Sequence, residues 1–144
     1  MKLPRHKHSL YQNFPQFLHI TIILNFNLII VDCYEKKFGI ILYNPSGREG
    51  AVEEADNLQS GLQAVACQVF REEWTTKREL STLIDKGVRK AAGCSLLVVC
   101  IMSHGGAGTL RCEEGETRDI VINDVIQKLR GKLPELTPLV CVIG

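Results

Sequence analysis

Residues 96–105 read Leu-Leu-Val-Val-Cys-Ile-Met-Ser-His-Gly. Seven apolar residues run without a break and then give way to a polar turn. A short apolar run bounded by turn residues predicts a strand buried on both faces. The loop that follows, Ser103 to Gly108, carries an imidazole just past the strand's carboxyl end. Ligand sites of open α/β sheets lie outside that end of the strands, so His104 is the first candidate for chemistry.

The same grammar extends in both directions. Upstream, Phe38–Tyr43 is a second apolar run, closed by Asn44-Pro45-Ser46-Gly47, and predicts a strand followed by a loop. Residues 52–66 place Val52, Ala55, Leu58, Leu62 and Val65 at three- and four-residue steps, which predicts an amphipathic helix. Cys67–Phe70 is a candidate short strand. Thr76 and Glu79 form a capping-box pattern, so a helix is expected from there to about Lys90. Its inward residues are Leu80, Leu83, Ile84, Val88 and Ala91, and Gly93 supplies the stop. Downstream, Thr109–Cys112 and Asp119–Ile122 flank the acidic turn Glu113–Glu116 and predict a small edge hairpin. Asn123 is placed to cap a short helix through Arg130, and Leu139–Ile143 reads as another buried strand. Strands alternating with helices predict an α/β fold, a mostly parallel sheet with helices on both faces.

Composition narrows the function classes. The chain has 144 residues, 45% of them hydrophobic, which suits one folded domain. Its 17 basic and 16 acidic residues leave a net charge of +1. No field of one sign would gather nucleic acid or anionic lipid. Six cysteines, at 33, 67, 94, 100, 112 and 141, form no CxxC pair, so no metal site or cofactor is expected. Buried thiols in a reducing, cytoplasmic setting are the simple reading. Residues 1–37 differ from the rest. The apolar stretch 17–31 follows Lys2, Arg5 and Lys7 in the manner of a signal sequence. It is interrupted by His19, Asn25 and Asn27 and shows no small-residue cleavage site. A membrane anchor is not expected, because the stretch is shorter than a spanning helix requires. An extension of no defined fold and a strand packed on the domain both remain open, so the division is 1–37 and 38–144.

Two segments together resemble the caspase family of cysteine–aspartate peptidases. One is the strand running into Met102-Ser103-His104-Gly105. The other is Arg48-Glu49-Gly50-Ala51-Val52-Glu53-Glu54-Ala55-Asp56-Asn57-Leu58, which is similar to the family's Arg-x-Gly segment and to its short-prodomain epidermal branch. The resemblance runs from about 38 to 143. It implies the large-subunit portion of a caspase-like sheet, with His104 and the Gly105 amide in catalytic positions and Arg48 holding a substrate's P1 aspartate. The chain departs from the family in two places. No histidine lies between Phe38 and Ser103, and Ser95 stands one position off the family's usual serine or cysteine. At the other end, Leu139–Ile143 resembles the strand leading into Gln-Ala-Cys-x-Gly, which puts the nucleophile two residues past Gly144. A family spacing of about 50 residues from histidine to cysteine also places it off the chain.

Each assignment fits its chemistry. An imidazole titrates near neutrality and can protonate a leaving amine. A glycine amide can approach a developing oxyanion unobstructed. A guanidinium fork matches a carboxylate better than an ammonium does. Against these stand plainer roles: a solvated loop histidine, and an Arg48 paired at the surface with Glu53 or Glu54. Cys141 lies mid-strand and reads as core, as do Cys100 and Cys112. The resemblance implies three functional readings. The chain is an inactive or decoy fragment in cell death or differentiation, an active endopeptidase completed by further sequence or a partner, or a product of a decayed locus. The implied partners are a peptide with a P1 aspartate or another caspase-like chain, docking beside an unfinished sheet edge at Leu139–Ile143.

Overall fold

The computed structural model describes residues 34–104, 109–112, 120–134 and 137–143. The readings of residues 1–33, Gly105 and the acidic turn 113–116 lie outside these residues. The elements are β1 (Lys37–Tyr43), α1 (Ala51–Ala64), β2 (Gln68–Glu73), α2 (Lys77–Lys90), β3 (Leu96–Met102), β4 (Thr109–Leu110), β5 (Ile120–Val121), α3 (Ile122–Lys132) and β6 (Leu139–Ile143). Four strands form one sheet in the order β2-β1-β3-β6, and each neighbouring pair is parallel. The hairpin β4-β5 is a separate antiparallel pair. This is the α/β architecture expected, with every predicted element in its predicted order.

Alternation along the central strands builds two cores. Phe38, Ile40 and Leu42 of β1 and Leu97, Val99 and Ile101 of β3 face α2 and α3, joining Leu80, Ile84, Val125 and Leu129. Ile41 and Tyr43, with Leu96, Val98, Cys100 and Met102, face α1 and meet Ala51, Ala55, Leu58 and Leu62. All seven residues of β1 and all seven of β3 are buried, as central strands covered on both faces must be. The edge strand β2 ends in Arg71, Glu72 and Glu73, two of them exposed. Charge on an exposed edge discourages pairing with another chain.

The capping box at α2 forms with a shifted partner. Thr76 Oγ1 accepts the Glu79 N–H at 3.1 Å. The Glu79 carboxylate reaches back one residue further than expected, taking the N–H of Thr75 at 2.9 Å. Several boundaries are corrected. Helix α1 covers 51–64, not 52–66, because Ala66 takes a left-handed φ of 64° that no helix continues. Val52, expected inward, is 48% exposed, and Ala51 takes the buried position instead. Strand β2 runs from Gln68 through Glu73 rather than 67–70, its full length being paired with β1. Asn123 does not cap α3. The helix begins at Ile122 after an extended Val121, without a side-chain cap, and continues to Lys132. Its start follows directly from the hairpin strand β5, which leaves no turn for a cap residue.

Gly87 was not singled out by its pattern, yet the packing depends on it. A Cβ there would lie 2.8 Å from Ile40 Cδ1 and 3.1 Å from Phe70 Cδ1. The missing side chain lets α2 settle close against β1 and β2.

Candidate active site

The carboxyl rim of the sheet is built from the loops after β1 and β3. His104 stands two residues beyond Met102 and is exposed. Its Nε2 hydrogen-bonds the carbonyl oxygen of Gly47. A carbonyl can only accept, so Nε2 carries the proton. In the neutral imidazole Nδ1 is then the basic nitrogen, the atom that can take or return a proton. Gly47 adopts a φ of +63°, a conformation a side chain would strain. That backbone turns the carbonyl toward the imidazole.

The backbone bearing His104 is pinned from below. Arg111 N–H donates to the His104 carbonyl at 2.6 Å. The buried hydroxyl of Ser103 lies 2.6 Å from the Arg111 carbonyl and 2.8 Å from that of His104. It has one proton, and the Arg111 carbonyl is the closer acceptor. The same carbonyl receives the Asn44 amide, Nδ2, at 3.2 Å. Asn44 is 3% exposed. Its backbone N–H donates to Met102 O at 2.8 Å, and its Oδ1 accepts the Ser46 N–H at 3.0 Å.

Arg48 follows Gly47 directly. Its backbone N–H closes a turn onto Pro45 O at 3.1 Å. Its Nη2 pairs with Glu54 at 2.7 Å, so the surface pair weighed from the sequence exists, with Glu54 as the partner. The side chain is nonetheless only 18% exposed, and its Nη1 is buried without a hydrogen-bond partner among the described residues. An unsatisfied guanidinium nitrogen is costly to bury and is the kind of donor a carboxylate ligand would satisfy. Gly47 therefore links the two predicted residues through the backbone: its carbonyl accepts from the imidazole, and its peptide bond leads to Arg48.

Among the described cysteines, Cys141 of the neighbouring strand does not reach this rim. In the β3–β6 register Val99 lies beside Cys141 and Ile101 beside Ile143. Cys141 thus sits five positions back from the level of His104, about 16 Å along the strand at the usual rise. Burial pushes its thiol up to about 12. Burial likewise raises the thiols of Cys67 and Cys94 above their ordinary value. Cys100 and Cys112 are buried in the two cores. A cavity of about 120 Å³ between α2 and α3, lined by Leu80, Ile84, Ile120, Val125 and Lys128 among others, shares no residue with the rim. Ser95, the residue one place off the family pattern, has a local task. Its hydroxyl accepts from Lys36 N at 2.9 Å and donates to Lys36 O at 3.0 Å, tying the starts of β1 and β3.

The sequence pointed to His104 and Arg48 but not to Asn44 or Arg111. Asn44 read as a turn residue ahead of a proline, and that same signal marks side chains that bond the backbone two residues on. The role of Arg111 is carried by its backbone, which no residue type announces.

A parallel α/β sheet with an imidazole loop and a guanidinium loop side by side at its carboxyl rim defines a caspase-like peptidase fold. Residues 30–143 match the caspase domain family, and the chain belongs to that family. A comparison with curated proteins gives no match. Among the described residues no helix is long and apolar enough to cross a membrane.

Proposed function

We propose that this chain supplies the acid–base and carboxylate-binding half of a caspase-type site and does not cleave peptides by itself. The observation that carries this reading is the Gly47 bridge. It ties the His104 imidazole to the residue before Arg48, whose Nη1 is buried without a hydrogen-bond partner among the described residues. With a thiol supplied, His104 would take its proton at Nδ1 and pass it to the leaving amine, Gly105 would donate its amide to the oxyanion, and Arg48 would hold a P1 aspartate. A thiolate is needed to attack, and Cys141, the cysteine of the strand beside β3, lies five positions short of the imidazole. The ligand is an aspartate-containing peptide, and the setting is the regulation of cell death or differentiation, as a decoy for active relatives. The test is to titrate such a peptide into the purified chain and to assay its cleavage in parallel. Binding lost on Arg48→Ala, without turnover, supports the proposal. Turnover that disappears on His104→Ala refutes it.

A second reading draws on the sheet register. The offset between β3 and β6 is constant from Leu97 to Ile101, so the position level with His104 is the third residue after Ile143. A cysteine supplied there, by continuing sequence or a partner chain, would complete an aspartate-directed endopeptidase. Coding sequence that continues Gly144 with Ala-Cys, placing the cysteine third after Ile143, decides for this alternative.

A further inference from the structure

We propose that Asn44 is a positioning residue that sets the tautomer and placement of His104. The inference rests on reading His104 as the acid–base group. One buried side chain reaches both halves of the rim. Through Oδ1, Asn44 holds the Ser46 N–H at 3.0 Å, closing the turn that aims the next carbonyl, Gly47 O, at His104 Nε2. Through Nδ2 it holds Arg111 O at 3.2 Å, the carbonyl that also meets the Ser103 hydroxyl. The Arg111 amide in turn grips His104 O at 2.6 Å. The acceptor of the imidazole and the backbone that carries it are therefore fixed by the two ends of one amide. Asn44 meets neither the imidazole nor a reacting atom directly. It acts through Gly47 on one side and Arg111 on the other. The backbone bond from Asn44 N to Met102 O, 2.8 Å, does not involve the side chain, so Asn44→Ala and Asn44→Asp each keep its donor while side-chain contacts are lost. An amide suits this task because it donates at one end and accepts at the other without charge, which a carboxylate, having no donor, would not do.

The experiment is nitrogen NMR on the full chain labelled in histidine, with His104 assigned by its absence in His104→Gln. Wild type is expected to show the Nε2–H tautomer in excess. In Asn44→Ala the ratio of Nε2–H to Nδ1–H should fall about fivefold, the equilibrium worth of one ordinary hydrogen bond. Should that variant fail to fold, Asn44→Asp decides, since it keeps the acceptor for Ser46 and removes the donor to Arg111; the ratio should again fall. Thr76→Ala, which weakens the distant cap of α2, is the control for general destabilisation and should leave the ratio unmoved. A folded Asn44 variant with the wild-type ratio overturns the proposal, as does a Thr76→Ala shift of equal size. The readout needs no peptide, so failure of the peptide-binding reading leaves this result standing, and the reverse holds as well.

Discussion

His104 Nε2 meets the carbonyl of Gly47, the residue immediately before Arg48. A loop after the first strand thus orients the imidazole carried by the third. The two loops are neighbours because β1 and β3 are adjacent and in register, Tyr43 beside Met102. A φ of +63° favours glycine at position 47, although a Cβ there would meet His104 Cδ2 only at an ordinary 3.8 Å. Steric crowding by the ring is therefore not the constraint; backbone conformation is. Gly47→Ala is expected to cost about 1 kcal/mol of stability through that conformation. This corresponds to a melting point lower by about 4 °C for a domain of this size. Gly47→Val should cost more, since a β-branched residue resists positive φ further. Thermal denaturation of the two variants beside wild type checks the ranking, and equal melting points for all three would contradict it.

Arg48 separates binding from stability. Its ion pair with Glu54 is half in solvent on the glutamate side, which is 48% exposed, and such pairs contribute about 0–1 kcal/mol. Arg48→Lys should therefore leave the melting point almost where it was. Its peptide affinity should fall at least tenfold, because an ammonium replaces a fork whose second nitrogen is already desolvated. Glu54→Gln should weaken neither to that degree. Calorimetric titration with an aspartate-containing peptide, run beside thermal denaturation, reads both quantities. An Arg48→Lys chain that binds like wild type would remove Arg48 from the site.

The elements were legible because period and punctuation agree along this chain. Leu96–Met102 could hardly be other than a central strand, and Thr76 with Glu79 announced α2 before any packing was considered. What stayed hidden was set by tertiary contact. Val52 fits the helical period of its segment yet lies outward, because the helix starts at Ala51 and rotates that smaller residue inward. Asn123 looked like a cap, but the hairpin feeds α3 directly and the helix starts ahead of it. At the rim, His104 and Arg48 could be read from residue type and motif. The bonds that hold them could not, because they run through backbone carbonyls of Gly47 and Arg111 and through an asparagine that resembled any other turn residue.

Gly87 sets two opposing effects against each other. Alanine is the better helix former by about 1 kcal/mol, and Gly87 lies inside α2. Its Cβ, however, would fall 2.8 Å from Ile40 Cδ1 and 3.3 Å from Ile40 Cγ1, with Phe70 Cδ1 at 3.1 Å. Ile40 is 1% exposed, so its side chain cannot swing out into solvent. Overpacking of this kind costs about 1–3 kcal/mol, so Gly87→Ala should be destabilising on balance. The double variant Gly87→Ala with Ile40→Val relieves part of the clash and should recover some of the loss. Chemical denaturation of the two variants decides the sign, and a stabilised Gly87→Ala would show that α2 can lift from the sheet at little cost.

Cys141 offers a test through pH. Burial pushes its thiol up to about 12 from an ordinary value of 9.0. At pH 8 the folded chain should hold about a thousandfold less thiolate at this position than an unfolded one, and thiolate is the species that reacts. Alkylation of Cys141 should accordingly be slow in buffer and fast in denaturant, with the modified residue identified by mass after digestion. The linkage has a definite sign. A thiol whose folded value lies above its unfolded value favours the folded state fully below pH 9. That contribution is lost as pH rises toward 12, because the unfolded chain releases the proton first. Stability should therefore decline across that window, and the Cys141→Ala chain should decline less steeply. Rapid native alkylation at neutral pH would mean a reactive thiolate on β6, and the separation of that strand's sulfur from His104 would have to be reconsidered.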